Sequence, residues 1–185
     1  MKNSRIGRVI GRGLLLASIA LPVLLLVVYL INPFGVRSYD PRQRIIGHGL
    51  YRMAGESMAP TVRKGQVLVV QAGYYERNVP RRGDVAIMLA PGTNGYQWPA
   101  RIIGLAGETV ALNKGQVEID GRVLAEPYVA SDARRSRYSR TMPALTVPEG
   151  HYFLMGDNRD NSQDSRVLGP IKRGDLTSRV RLIVP

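Results

Sequence analysis

Ser57 lies in the stretch AGESMAP, residues 54–60, between a glycine-bearing turn and a Met-x-Pro. The run that follows, TVRKGQVLVV, has the character of a strand. A serine hydroxyl becomes a useful nucleophile once a neighbouring base takes its proton. Glycine and serine are also ordinary turn residues, so these residues alone favour a plain turn. The choice between the two interpretations depends on what the rest of the chain could bring to Ser57.

A second polar segment, GDNRDNSQDSR at residues 156–166, contains three aspartates, two asparagines, two serines and two arginines. It fits a solvated loop, a calcium loop, or a buried network in which carboxylates and guanidiniums neutralise each other. The interleaved arginines argue against a calcium loop, because a cation site gathers oxygen ligands.

Metal and disulfide chemistry are disfavoured by composition. The chain has no cysteine, so it can form neither a disulfide nor a thiolate metal site. Its two histidines, His48 and His151, are far apart in sequence. We therefore expect no metal site and no cofactor.

The segments that must position these residues are predicted to be short strands. β-branched runs separated by turn residues occur at 66–70, 84–89, 108–126, 151–156 and 178–184. Within 108–126, Lys114-Gly115 and Asp120-Gly121 predict two tight turns between three strands. The pattern predicts a mainly β fold, a sheet or barrel-like domain, and the family resemblance given below implies that its strands are antiparallel. The polar, basic stretch 131–144 predicts a mobile loop that rests on lipid.

Before the β-rich region, residues 13–31 form a run of 19 residues without a charge, long enough to cross a bilayer as a helix. A cleaved signal peptide would have a shorter apolar core and a small-x-small site. We favour an uncleaved anchor, with the basic tail 1–12 inside the cell. A juxtamembrane linker, 32–48, then leads to the β-rich domain at 49–185.

Charge indicates the partner. Lysine and arginine total 26 against 14 acids, a net charge of +12. Such an excess favours nucleic acid or an anionic phospholipid membrane. Aromatic residues make up only 6% of the chain and no nucleic-acid module is evident, so we expect the membrane and no nucleic acid.

Four segments together resemble one family, the type I signal peptidases, which are membrane-bound serine proteases with a Ser-Lys dyad. They are GESMAPT (55–61), PRRGDVAI (80–87), RIIGLAGE (101–108) and GHYFLMGDNRDNSQDSR (150–166). The resemblance implies a single-pass protein of the bacterial cytoplasmic membrane with its β domain on the outer face. It also implies that signal peptides of exported preproteins are cleaved after small-x-small residues.

The resemblance also implies roles for individual residues. Ser57 would be the nucleophile, and its backbone amide one oxyanion donor. Gly55 stands where many members carry a serine that gives a second donor. Ser162 would orient the base, while Arg101 with Asp157 and Asp164 with Arg166 would brace the site. The positions matching substrate contacts are Tyr51, Met53, Gly55, Met58, Val62, Leu68, Ile87 and Pro99. For the apolar ones, plain core packing is an equal alternative.

The general base of the family is missing. Its lysine position, directly before Arg101, is occupied by Ala100, and no other lysine of the chain lies in a matching place. Neither histidine matches either. Two explanations stay open: a naturally divergent member, or a substitution made to trap substrate. Two functions stay open as well: a peptidase crippled at Ala100 or using another base, and a protein that holds exported peptides without cutting them.

Overall fold

A computed structural model describes residues 3–93, 95–130 and 136–185, with side chains from Ala17 onwards. The chain begins with helix α1 (Asn3–Ile31), which contains the apolar segment 13–31. In the described part of the chain, no helix combines the length and the apolar character needed to cross a bilayer. The transmembrane helix stays a prediction.

The remainder is built mainly from strands. In the described ranges, the short α-helices between them are α2 (Pro41–Ile46), α3 (Tyr74–Arg77), α4 (Arg137–Arg140) and α5 (Ser165–Leu168), and Arg173–Asp175 form a 3-10 turn. The strands are β1 (His48–Arg52), β2 (Val67–Ala72), β3 (Val85–Leu89), β4 (Gln97–Gly104), β5 (Thr109–Asn113), β6 (Gln116–Ile119), β7 (Arg122–Val123), β8 (Met142–Thr146), β9 (His151–Met155), β10 (Ile171–Lys172) and β11 (Leu176–Val184).

Every strand pair is antiparallel, and the strands form two sheets. The main sheet has seven strands in the order β1-β2-β11-β3-β4-β9-β10, and the satellite sheet has four in the order β7-β6-β5-β8. The predicted mainly β, antiparallel fold is confirmed. The strands predicted around 66–70, 84–89, 108–126, 151–156 and 178–184 are present as β2, β3, β5 to β7, β9 and β11.

Strand β4 is central to both the fold and the site. Its side chains alternate between faces, as those of a strand must. Ala100 and Ile102 pack into one buried cluster with Leu154, whereas Ile103 packs into another with Val110 of the satellite sheet. The second cluster therefore joins the two sheets, and Arg101 lies on the same face of β4 as Ile103.

The segment 131–144 is described in part, and the mobility predicted for it stays a prediction. From residue 136 onwards it forms α4 and the first residues of β8. The backbone amide and hydroxyl of Ser136 both donate to Asp160, at 3.0 and 2.8 Å, and Ser139 donates to the same carboxylate. These bonds fix the segment to the polar loop 156–166. Residues 131–135 lie outside the described residues.

Candidate active site

Ser57 sits in the turn that leaves β1, with a half-buried side chain. Its carbonyl accepts a hydrogen bond from the Asn158 amide at 3.0 Å, which ties this turn to the polar loop. The next residue, Met58, is fully buried and anchors the turn in the core. Among the described residues, no partner is seen for the Ser57 hydroxyl. The side chain is thus presented by a fixed backbone without being used to build the fold.

Two predicted site residues, Ser57 and Ser162, meet at Gly156. Strand β9 ends at Met155, which pairs with Arg101 of β4, the residue that follows Ala100. A Cβ atom built on Gly156 would lie 2.5 Å from the Ser57 carbonyl oxygen and would overlap the Ser162 side chain. The structure therefore brings Ser57 and Ser162 around one glycine, and Ala100 lies one residue before Arg101, which pairs with the preceding Met155.

This crowding makes Gly156 a test of the site's geometry. We expect Gly156→Ala to destabilise the domain by about 1–3 kcal/mol, as forced overpacking commonly does. The matched control is Gly55→Ala, because a Cβ at Gly55 meets nothing within 4 Å. Chemical unfolding of the two variants measures the difference. Equal stabilities would mean that the neighbours of Gly156 move aside freely.

Ala100 occupies an apolar position. It is 1% exposed and shares its cluster with Ala86 and Ile102. Trp98 packs against the same cluster, and its indole Nε1 donates to the Gln163 carbonyl at 3.1 Å. That carbonyl follows Ser162 directly in the chain. An amine placed here would be surrounded by hydrocarbon, which disfavours its charged form.

The pair Arg101–Asp157 is bidentate and buried. Arg101 Nε and Nη2 donate to Asp157 Oδ1 and Oδ2 at 2.8 and 2.6 Å, and Thr61 Oγ1 donates to Oδ2 at 2.5 Å. The guanidinium also stacks on the Tyr128 ring, 4.0 Å from its centroid. Burial lowers the pKa of Arg101, but the bonds to Asp157 outweigh it and raise that pKa. The predicted pairing is present, with Thr61 as a third member.

The pair Asp164–Arg166 supports Gly156. Arg166 Nε and Nη2 donate to the Asp164 oxygens, each at 2.8 Å. Asp164 Oδ2 also accepts from the Gly156 amide at 2.9 Å. Because both side chains are almost fully buried, the pair fixes the glycine around which the site is arranged.

Two supporting residues were not among the predicted ones. Glu126 pairs with Arg159, and both side chains are 1% exposed. Tyr138 donates its hydroxyl to the Ser162 carbonyl at 2.8 Å, and Arg166 stacks on its ring. Sequence spacing gave no signal for either contact.

Tyr138 also makes the domain sensitive to alkali. Burial, followed by the charge of Asp164, raises the pKa of Tyr138 to about 12. The unfolded chain would ionise this group near pH 10, so its contribution to stability is complete below that pH and is lost as pH rises towards 12. Unfolding free energies measured at several pH values should fall less steeply in this window for Tyr138→Phe. An unchanged slope would contradict the assignment.

The predicted substrate contacts lie mostly in one buried cluster. Its members are Met53, Met58, Val62, Leu68, Val70 and Ile87. Tyr51 packs against the cluster, and its hydroxyl donates to the Gln97 carbonyl of β4 at 2.7 Å. Pro99 pairs with Ile87 across β3 and β4, whereas Gly55 is exposed. The residues are therefore brought together, and packing is one of their roles.

The other candidate bases are not bonded to Ser57 in the part of the chain that the structure describes. His48 Nδ1 contacts the Ile46 carbonyl and His151 Nδ1 contacts the Glu149 carbonyl, each at 2.9 Å. Lys64 lies seven positions after Ser57, and its backbone amide donates to Glu56 at 3.4 Å. In the described ranges, none of the titratable side chains is hydrogen-bonded to the Ser57 hydroxyl.

The chain is similar in sequence to proteins of known family. The family model described as signal peptidase, peptidase S26, matches residues 10–184. Probable signal peptidase I-1 of Synechocystis sp. is 38% identical over 121 residues, covering 62% of this chain and 59% of that protein. Signal peptidase I of Bacillus amyloliquefaciens is 36% identical over 121 residues, covering 63% of this chain and 62% of that protein.

A solved structure is also similar. The crystal structure of a signal peptidase I from Enterococcus faecalis V583 superposes with a TM-score of 0.50 at 36% sequence identity. The match covers 56% of this chain and 98% of that one. The chain spans less than two thirds of the length of the two curated relatives above.

Proposed function

The chain belongs to the signal peptidase family, peptidase S26, and from this membership we propose that it acts on the signal peptides of exported preproteins. The site would be that of a serine endopeptidase with Ser57 as nucleophile. The observation that carries the proposal is the meeting of Ser57 and Ser162 around Gly156, which follows the residue that pairs with Arg101.

The chemistry requires the Ser57 Oγ to attack the carbonyl carbon of the scissile bond while its proton goes to a base. The Ser57 amide is the proposed oxyanion donor, and exposed Gly55 offers no side chain to help it. Ala100 has no titratable group, so the proton has no acceptor at the family's position. We propose that the chain as written cleaves only at a residual rate, supported by binding and the oxyanion donor.

The absent base favours a second function, the holding of peptides without cutting them. The supporting pairs Arg101–Asp157 and Asp164–Arg166 are complete although the group they would serve is missing. A site that keeps its shape without its base can still bind a peptide. Binding and cutting are therefore separate properties to measure.

The peptide would lie beside β1 and the first half of β4. There β4 pairs with β3, while its pairing with β9 begins only at Arg101. Such an unpaired edge accepts an extended peptide through main-chain bonds. The apolar cluster beneath, with Ile87 and Met53 near this edge, would provide shallow pockets for small side chains.

The membrane arrangement is part of the same proposal. Residues 13–31 would form a single transmembrane helix, with the tail 1–12 in the cytoplasm and the domain 49–185 on the outer face of the cytoplasmic membrane. The continuous helix α1 and the net charge of +12 support an anchor beside anionic phospholipid.

Binding of a fluorescent synthetic signal peptide to the full chain in a nonionic detergent tests the function. We expect a peptide ending in Ala-x-Ala to bind about tenfold or more tightly than one with lysines at the two small positions. Ser57→Ala should bind both peptides as the unmodified chain does. Equal binding of the two peptides would contradict a small-x-small site.

A further inference from the structure

A concave basic site lies at one end of the satellite sheet, in a part of the molecule that the proposed peptidase function does not use. It has a volume of about 300 Å³ and is lined by Lys114, Arg137, Arg140 and Thr141. All four residues are exposed. Throughout the described ranges, no ion pair involves the three cations. Three positive charges therefore share one concavity, and no acid in the described part of the chain forms an ion pair with them.

The backbone holds these cations together. Lys114 is in the turn between β5 and β6, and Arg137 and Arg140 are on α4. The amide of Gly115 donates to the Arg140 carbonyl at 2.9 Å, which links the turn to α4 directly. At its other end, α4 is capped by Ser136, which is bonded to Asp160. Like charges kept close by the fold, rather than free to separate, form a local positive field.

Lys114 occupies a backbone position that a lysine rarely takes. Its φ angle is +50°, in the left-handed region, at the first central position of a two-residue hairpin turn. Asparagine, aspartate or glycine is usual there, because other side chains raise the free energy of this conformation. The nearest acid on the adjacent strand, Glu118, accepts a hydrogen bond from Asn113 at 3.3 Å. The lysine is thus at an unfavourable backbone position without an ion pair to offset it.

We propose that Lys114, Arg137, Arg140 and Thr141 form a binding site for a phosphate group. Two guanidiniums offer paired donors that match phosphate oxygens, the lysine adds a compact charge, and the threonine hydroxyl adds a neutral donor. Three cations held close together favour a phosphate with a net negative charge over a zwitterionic one. Its source is either a soluble phosphate compound or the headgroup of an anionic phospholipid.

Titration of the full chain in nonionic detergent with pyrophosphate, followed by calorimetry, tests the site. Arg137→Gln and Arg140→Gln should each weaken pyrophosphate binding by about tenfold, the loss of a charge-assisted contact. Arg122→Gln is the matched control, because Arg122 is an exposed cation at the opposite side of the same sheet. It should change binding less than twofold. No measurable binding, or equal weakening by all three substitutions, would overturn the proposal.

Lys114→Asn separates binding from structure. It removes the charge and suits the left-handed turn, so we expect weaker pyrophosphate binding together with a melting temperature raised by about 1–3 °C. Lower stability with unchanged binding would show that the lysine serves the fold, and would overturn its place in the site.

Short-chain lipids distinguish the two sources. If dihexanoyl phosphatidylglycerol displaces pyrophosphate and dihexanoyl phosphatidylcholine does not, the phosphate comes from an anionic headgroup. If neither lipid competes, the site takes a soluble phosphate compound. Both results support the phosphate site, and neither depends on whether Ser57 cleaves peptides.

Discussion

Replacing Ala100 by lysine should raise the rate of preprotein cleavage by about 10²–10⁴-fold, the usual contribution of a positioned general base. The buried position among Ala86, Ile102 and Leu154 would disfavour the ammonium form and lower the pKa of the new lysine below its ordinary value of about 10.4. Activity should therefore rise with pH as the amine loses its proton. Cleavage of a preprotein by the detergent-solubilised chain, followed from pH 6 to 10, measures both effects.

Ala100→Met is the matched control, since methionine adds a side chain of similar length without an amine. It should fold as the lysine variant does and remain at the residual rate. Ser57→Ala combined with Ala100→Lys should abolish the gain. A folded but inactive lysine variant that still binds signal peptide would support the peptide-holding function instead. Cleavage by the unmodified chain that Ser57→Ala removes would show that another base acts.

The second large effect is expected at the buried pair Glu126–Arg159. Arg159 Nη1 donates to Glu126 Oε2 at 3.0 Å, and Nη2 donates to Oε1. Glu126→Gln keeps the shape of the side chain but leaves a buried guanidinium without its counter-charge. We expect the free energy of unfolding to fall by about 3–5 kcal/mol, measured by urea unfolding.

Glu149→Gln is the control for this change, because Glu149 is exposed and should contribute less than about 0.5 kcal/mol. The double variant Glu126→Gln/Arg159→Met should recover part of the lost stability, since it also removes the unpaired charge. If the single variant were as stable as the unmodified chain, the pair would contribute no net stability. The polar loop would then be held by its other bonds.

The parts of the fold that sequence could predict are those set by local chemistry. Lys114-Gly115 and Asp120-Gly121 predict tight turns, and both non-glycine residues have φ angles of +50° as such turns require. The strands on either side of these turns follow from alternation and β-branched residues. The family resemblance also rests on local sequence, because its motifs are short and contiguous. The match to the family model confirms it.

The contacts that sequence could not predict join distant segments. Glu126 and Arg159 are 33 positions apart, and the sequence offers Arg159 a nearer acid in Asp160. The fold assigns Asp160 to Ser136 and Ser139 instead. Local composition predicts a mobile loop at 131–144, and its polar basic residues give no sign of α4. The bonds of this segment to Asp160 join positions more than 20 residues apart.

For the apolar site residues, the sequence does not distinguish core packing from substrate contact. Met53, Val62 and Leu68 are core residues in the structure, with at most 3% of their surface exposed, so packing is the role that it shows, and substrate contact stays a prediction. Sequence leaves packing and substrate contact as alternatives because one side chain can do both. The roles of Ser57 and Ser162 stay proposals that the variants above test.

Ala100 and Arg101 are adjacent in the chain but belong to opposite faces of β4. Arg101 forms an ion pair with Asp157 that helps to hold the fold together. Ala100 packs among apolar side chains, where a small residue is sufficient. Under the proposed function, catalytic activity and the stability of the fold therefore depend on separate positions of β4. A change of the single codon for residue 100 would then remove activity without unfolding the domain. A change of the same codon back to lysine would restore it. Inactive and active forms of such a domain would therefore differ at very few positions.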